Sequence, residues 1–164
     1  LNKMSEWGIY MYLITIISNY FKGREIKIGN ITRTMKMGVP QGSVLLPTLW
    51  NIHYDEVLRL EHPPEVFTLA LADDLALMVK ANDLQSLEDL ANCALNRINT
   101  WIDETKLILA PDKSEAVFLK GPKNVPTPIE LRIKDTQRVV KRKIKYLGII
   151  IDWQTTFGEH VRYA

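Results

Sequence analysis

Two adjacent aspartates, Asp73 and Asp74, interrupt an apolar run that extends over residues 66–79. No other feature constrains the fold as much. An ionised carboxylate buried without a counter-charge or hydrogen bonds costs several kcal/mol, and two side by side also repel each other. The run therefore reads as two short strands bent at Asp73-Asp74, with both carboxylates at the bend. Two readings of the pair stay open on these residues alone. Aspartate favours turns on its own account, and the pair is also suited to holding a cation. Magnesium prefers carboxylate oxygens and is commonly held by one or two of them together with substrate phosphates. Two such ions about 4 Å apart can activate a hydroxyl and stabilise a leaving oxygen in phosphoryl transfer.

The neighbouring segments supply the elements around that bend. Trp7, Tyr10, Met11, Ile14, Ile17 and Tyr20-Phe21 recur at helical spacing, which predicts a helix over 6–21 stopped by Gly23. Ile26 and Ile28, then Gly29-Asn30, then a β-branched run over 31–37 predict a hairpin ended by Pro40-Gln41-Gly42. Pro47 suits the first turn of a helix through Trp50, Ile52, Val57 and Leu58, which puts Leu46 at its cap. Pro63-Pro64 ends that helix. Leu84, Leu87, Leu90-Ala91, Ala94-Leu95, Ile98 and Trp101-Ile102 then mark the clearest amphipathic helix, with Asn82 as its expected cap. Strands are predicted at 107–109 and 116–119 around Pro111-Asp112-Lys113, and at 129–133 and 144–151, with a proline-rich loop at 121–128. Helices mixed with strands joined by short turns predict an α+β fold, with helices on one face of a mainly antiparallel sheet.

Composition bounds the partners. A chain of 164 residues that is 46% hydrophobic can bury the core of one domain. The formal charge is only +2, yet Lys120, Lys123, Arg132, Lys134, Arg138, Lys141, Arg142, Lys143 and Lys145 crowd one stretch. Only Glu130 and Asp135 oppose them within it. Such a stretch suits a polyanion, with an ordinary solvated face as the open alternative. The single Cys93 excludes an intramolecular disulfide and a cysteine-based metal cluster, and it fits a reducing compartment. No window reaches the roughly 20 apolar residues that span a bilayer, so no membrane partner is expected. The chain begins at Leu1, which fits a piece of something longer.

A second set of residues bears on the aspartates. Gly38-Val39-Pro40-Gln41-Gly42-Ser43-Val44-Leu45-Leu46-Pro47-Thr48-Leu49-Trp50-Asn51 precedes them, and Lys113-Ser114-Glu115 and Lys145-Tyr146-Leu147-Gly148 follow. This ordered set resembles the reverse transcriptase family, most closely the polymerases encoded by non-LTR retrotransposons. Each motif is short, but their order and spacing together are specific. The resemblance implies a polymerase palm ending near the primer-grip hairpin, with the fingers, an upstream aspartate-bearing strand and the thumb lying outside residues 1–164. It implies an RNA template, a DNA primer and a deoxynucleoside triphosphate as partners, alongside the rest of a parent polyprotein. It also implies nuclear action and two magnesium ions.

The roles carry over by position. Asp73 would be the metal ligand, supported electrostatically by Asp74. Pro40, Gln41 and Gly42, with Leu71, would line the pocket for the incoming nucleotide and template base. Lys113 would approach the triphosphate, where a protonated amine can neutralise or protonate departing pyrophosphate. Tyr146, Leu147 and Gly148 would grip the primer end. Arg138, Lys141, Arg142 and Lys143 are the candidate contacts to the nucleic-acid backbone. Leu71 stands where the family has an aromatic residue, and Leu46 where it has glycine. Asp55, inside the helix after Pro47, does not replace the upstream aspartate. Two functions follow as expectations: a polymerase piece that is inactive alone, or a remnant that at most binds nucleic acid.

Overall fold

The computed structural model describes residues 1–35, 37–119 and 129–164. The loop expected at 121–128, and Lys120 and Lys123 with it, lie outside the described residues. The chain divides into two compact units, Leu1–Arg59 with Ala70–Asp74, and Leu60–Leu69 with Leu75–Ala164.

The first unit begins with α1 (Asn2–Glu6) and α2 (Met11–Phe21), where one helix over 6–21 is predicted. Gly8 at φ 71 and the extended Tyr10 (φ −54, ψ 134) break the ladder between them. Glycine reaches positive φ without steric cost, so the helix parts there. Hairpin β1 (Glu25–Ile28) and β2 (Ile31–Thr34) turns at Gly29-Asn30, as the sequence predicts, in antiparallel register with Ile28 opposite Ile31. Its second strand stops at Thr34, short of the predicted 37.

Next comes α3 (Leu46–Leu58), with Pro47 in its first turn. The cap is Leu45, and Leu46 lies inside the helix, a one-residue correction. Leucine offers no capping oxygen, and Ser43 supplies two acceptors in its place. The Leu45 N–H donates to Ser43 Oγ at 3.3 Å and the Leu46 N–H to the Ser43 carbonyl at 3.0 Å. The core of this unit is Met4, Ile14, Leu49, Tyr54 and Val57, contributed by all three helices.

β3 (Val66–Leu71) and β4 (Asp74–Val79) form a second hairpin. In the second unit α4 (Leu84–Thr105) buries Ala91, Ala94, Ile98, Trp101 and Ile102 along one stripe and leaves Cys93 exposed. Its cap is Asp83, not Asn82. Asp83 has the extended backbone a cap needs and accepts from the Ser86 N–H at 2.8 Å. Hairpin β5 (Glu130–Ile133) and β6 (Thr136–Val139) packs on α4. Asn92 serves the open edge of β5, donating to the Glu130 carbonyl at 3.0 Å and accepting from the Arg132 N–H at 2.9 Å. Edge groups are thereby satisfied without a third strand.

Residues 107–109 form no strand, and Ile108 is 95% exposed. Of 116–119 only Val117 pairs, as an isolated parallel bridge to Lys141. The expected strand at 144–151 is instead a hairpin, β7 (Lys143–Tyr146) and β8 (Ile149–Asp152), followed by α5 (Gly158–Tyr163). Two successive positive φ values, Leu147 at 49° and Gly148 at 83°, fold the apolar run back on itself. That is the turn geometry matched to strand twist. The α+β class is borne out. Among the described residues the strands pair as four two-stranded hairpins, and no helix is long and apolar enough to cross a membrane.

Candidate active site

The turn between β3 and β4 is Ala72-Asp73, one residue earlier than predicted, and Asp74 opens β4. Both carboxylates are exposed. Ala72 has φ 54, a left-handed conformation that costs a non-glycine residue about 1–2 kcal/mol. Two side chains of α3 reach this turn. Trp50 Nε1 donates to the Ala72 carbonyl at 2.6 Å, and the Tyr54 hydroxyl donates to the Asp73 carbonyl at 3.4 Å. A hydrogen bond contributes about 1 kcal/mol net, so the short indole bond is of the size that offsets the strained alanine. The two rings stack, with centroids 5.0 Å apart and planes 24° from parallel.

Burial pushes the Tyr54 phenol above its ordinary pKa, and the Asp73 and Asp74 charges add to the rise. The hydroxyl therefore keeps its proton at neutral pH and acts as a donor. From sequence, Trp50 is only one apolar position of the predicted helix, and Tyr54 is passed over. Their four-residue spacing on one helix face was the available signal.

Leu71 ends β3 beside the turn, with its side chain exposed. In the same unit the Ser43 N–H donates to the Pro40 carbonyl at 3.1 Å, closing a turn with Gln41 and Gly42 at its centre. Gly42 has φ 83, which the third position of such a turn requires. Close backbone approach is not what demands glycine there, since a Cβ would meet nothing within 4 Å. Tyr20 donates to Ser43 Oγ at 3.0 Å, and Arg24 donates to the Gly38 carbonyl at 2.6 Å. The Pro-Gln-Gly turn is thus pinned at both ends, with Gln41 and Gly42 exposed between.

The remaining candidates belong to the second unit. Lys113 ends a single 3-10 turn, Pro111–Lys113, exposed and without an ion pair among the described residues. Arg138 holds that turn, donating to the Pro111 carbonyl at 2.9 Å and to Asp112 at 2.7 Å. Lys141 pairs with Glu115. Lys143 pairs with Glu159 at 2.8 Å, and Arg162 joins the same carboxylate at 3.0 Å. Hydrogen bonding from Lys143, with both cations close by, holds the Glu159 carboxyl below its ordinary pKa. Arg142 is exposed and meets no carboxylate among the described residues. It lines a cleft of about 350 Å³ with Lys143, Asp152, Trp153, Glu159 and Arg162.

Asp152 is the buried charged residue of this region. Burial raises its pKa, but hydrogen bonds from Thr156, Gln154 and Phe157 outweigh that and leave it lowered. Tyr146 closes β7 with a buried hydroxyl that has no hydrogen-bond partner among the described residues, and Leu147-Gly148 form the exposed turn. The first unit therefore contains Asp73, Asp74, Leu71 and Pro40-Gln41-Gly42. The second carries Lys113, the basic side chains and Tyr146-Leu147-Gly148.

No group of three His, Cys, Asp or Glu side chains converges among the described residues. The donor set at the turn is two carboxylates, chemistry that fits magnesium held jointly with phosphate oxygens and water.

The sequence profile described as reverse transcriptase (RNA-dependent DNA polymerase) matches residues 1–151. The chain belongs to that family. Its relatives include the retrovirus-related Pol polyprotein from type-1 retrotransposable element R1 of Bradysia coprophila, 27% identical over 98% of this chain and 16% of that protein. A second R1 Pol polyprotein, from Nasonia vitripennis, is 31% identical over 76% of this chain and 32% of its own length. The RNA-directed DNA polymerase from mobile element jockey of Drosophila funebris is 26% identical over 91% of this chain and 17% of its own length. The chain thus spans between about a sixth and a third of these relatives. No solved structure matches it.

Proposed function

We propose that this chain is the carboxylate-bearing palm portion of an RNA-directed DNA polymerase of the non-LTR retrotransposon kind. One observation carries the reading. Asp73 in a pinned turn and Asp74 next to it stand exposed with no cation paired to them among the described residues, inside a chain of the reverse transcriptase family. Asp73 is the metal ligand and Asp74 supports it. Magnesium bound there would supply positive charge to activate a primer 3′-hydroxyl and steady the leaving pyrophosphate. The Pro40-Gln41-Gly42 turn offers an exposed backbone edge for the nucleotide and template base. Lys113 is a cation available to phosphate, and Tyr146-Leu147-Gly148 form the hairpin turn that meets the primer.

In the polymerase that contains this chain, Asp73→Ala is expected to lower magnesium-dependent primer extension at least about a thousandfold, the scale of several kcal/mol of charge stabilisation. Extension at the parental rate overturns the reading. The 164-residue chain by itself is expected to give no extension, because no third acidic or histidine ligand joins Asp73 and Asp74 among the described residues.

A second reading rests on Arg142, a cation without a carboxylate partner among the described residues, beside the cleft that Trp153 and Arg162 line. It makes the second unit a nucleic-acid contact in its own right. Salt-sensitive RNA binding without catalysis supports it, and no affinity at low salt removes it.

A further inference from the structure

The β3–β4 turn is built from residues that do not hold its shape unaided. Ala72 carries a left-handed backbone without being glycine, and Asp73, which follows it, is the proposed ligand. Both turn residues offer their carbonyls to one face of α3, Ala72 to the Trp50 indole and Asp73 to the Tyr54 hydroxyl. The two donors brace each other by stacking. Tyr54 is itself core, and Leu49 and Val57 on the same helix are buried, so the donors stand on a packed support.

We propose that Trp50 and Tyr54 are positioning residues for the carboxylate pair. They bind neither substrate nor metal. By holding the two turn carbonyls against α3 they fix the backbone from which the Asp73 and Asp74 carboxylates project. Each carbonyl accepts one hydrogen bond from α3, and the carboxylate oxygens are the charged ligands the turn offers a cation. The proposal rests on the reading of Asp73 and Asp74 as a metal site and adds the residues that orient it. Partners that orient a ligand typically change metal affinity by ten- to a hundredfold when removed.

The test measures the metal and the turn separately. Manganese(II), a paramagnetic stand-in for magnesium, is titrated onto the full chain by electron paramagnetic resonance. The parent, Trp50→Phe, Tyr54→Phe and Asp73→Asn are compared. Trp50→Phe keeps an aromatic ring, smaller than the indole, beside Tyr54 but removes the N–H, and Tyr54→Phe removes only the hydroxyl. Expected are a manganese affinity lowered about tenfold in Trp50→Phe, a smaller loss in Tyr54→Phe, and unfolding temperatures close to the parent. Amide relaxation at Asp73 and Asp74 should show a more mobile turn in both variants.

Parental affinity in Trp50→Phe overturns the proposal. If the parent and Asp73→Asn bind manganese equally poorly, the metal reading fails instead. The amide relaxation then decides whether Trp50 and Tyr54 order the turn: unchanged relaxation removes that role as well.

Discussion

The carboxylates at the β3–β4 turn and the cations of the second unit carry their charge in opposite ways. Asp73 and Asp74 meet no cation among the described residues, while the backbone beneath them is tied to α3 by two donors. Arg138, Lys141 and Lys143 each end on a carboxylate: Asp112, Glu115 and Glu159. One region keeps its charge available and fixes its frame. The other uses charge to fix its frame, because Arg138 holds the turn that carries Lys113 and the Lys141–Glu115 pair reinforces the isolated bridge between Lys141 and Val117. Exposed pairs of this kind are worth about 0.2–1 kcal/mol. The carboxylates therefore reduce the pull of this surface on a polyanion without abolishing it.

The largest effect that would break this contrast comes from releasing the cations. Asp112→Asn, Glu115→Gln and Glu159→Gln together are expected to tighten RNA binding by the chain. The plot of log affinity against log salt should steepen by about 0.7 to 0.9 for each cation freed. Arg142→Ala in the same background should remove about one such increment. A slope identical in the parent and the triple variant would mean that the paired cations were available all along.

A smaller effect concerns a charge the second unit avoids. Both ring nitrogens of His62 are buried without a partner among the described residues. Burial, and then the Arg97 guanidinium, hold its pKa below the ordinary 6.5. The folded state thus prefers neutral imidazole, whereas the unfolded chain takes up the proton at its ordinary pKa. The contribution is fully present above pH 6.5 and declines as the pH falls through that value towards the folded pKa. The unfolding temperature measured between pH 7.5 and 5.5 should carry this slope, and His62→Gln should lose it. An equal slope in both proteins would assign the acid sensitivity elsewhere.

The smallest expected effect is at the start of α4. Asp83→Ala removes the acceptor for the Ser86 N–H. It should lower the unfolding temperature modestly and leave the carboxylate turn unaffected. Asn82→Ala should do neither, and equal losses from the two substitutions would return the cap to Asn82.

Sequence revealed the elements whose information is local. Gly29-Asn30 names its own turn, the three- and four-residue spacing of α4 names its buried stripe, and Pro47 names a helix start. The carboxylate bend was visible because two charges in an apolar run leave few alternatives. What stayed hidden depends on contacts between residues distant in the chain. The indole of Trp50 reaches Ala72, twenty-two residues on, and nothing in either segment announces the other. Glu115, Asp112 and Glu159 flank the basic stretch or lie well away from it, so a charge count within it missed their pairing. Residues 107–109 look like a strand by composition but find no strand partner among the described residues, and strand propensity follows packing more than it leads it.

Cys93 has a practical consequence. It is the chain's single thiol and sits exposed near the middle of a 22-residue helix whose opposite stripe is packed. A maleimide dye placed there labels one defined spot without disturbing a core residue. Its fluorescence anisotropy would report the tumbling of the labelled chain, and a rise on adding RNA would follow the bound fraction without a tag at either terminus.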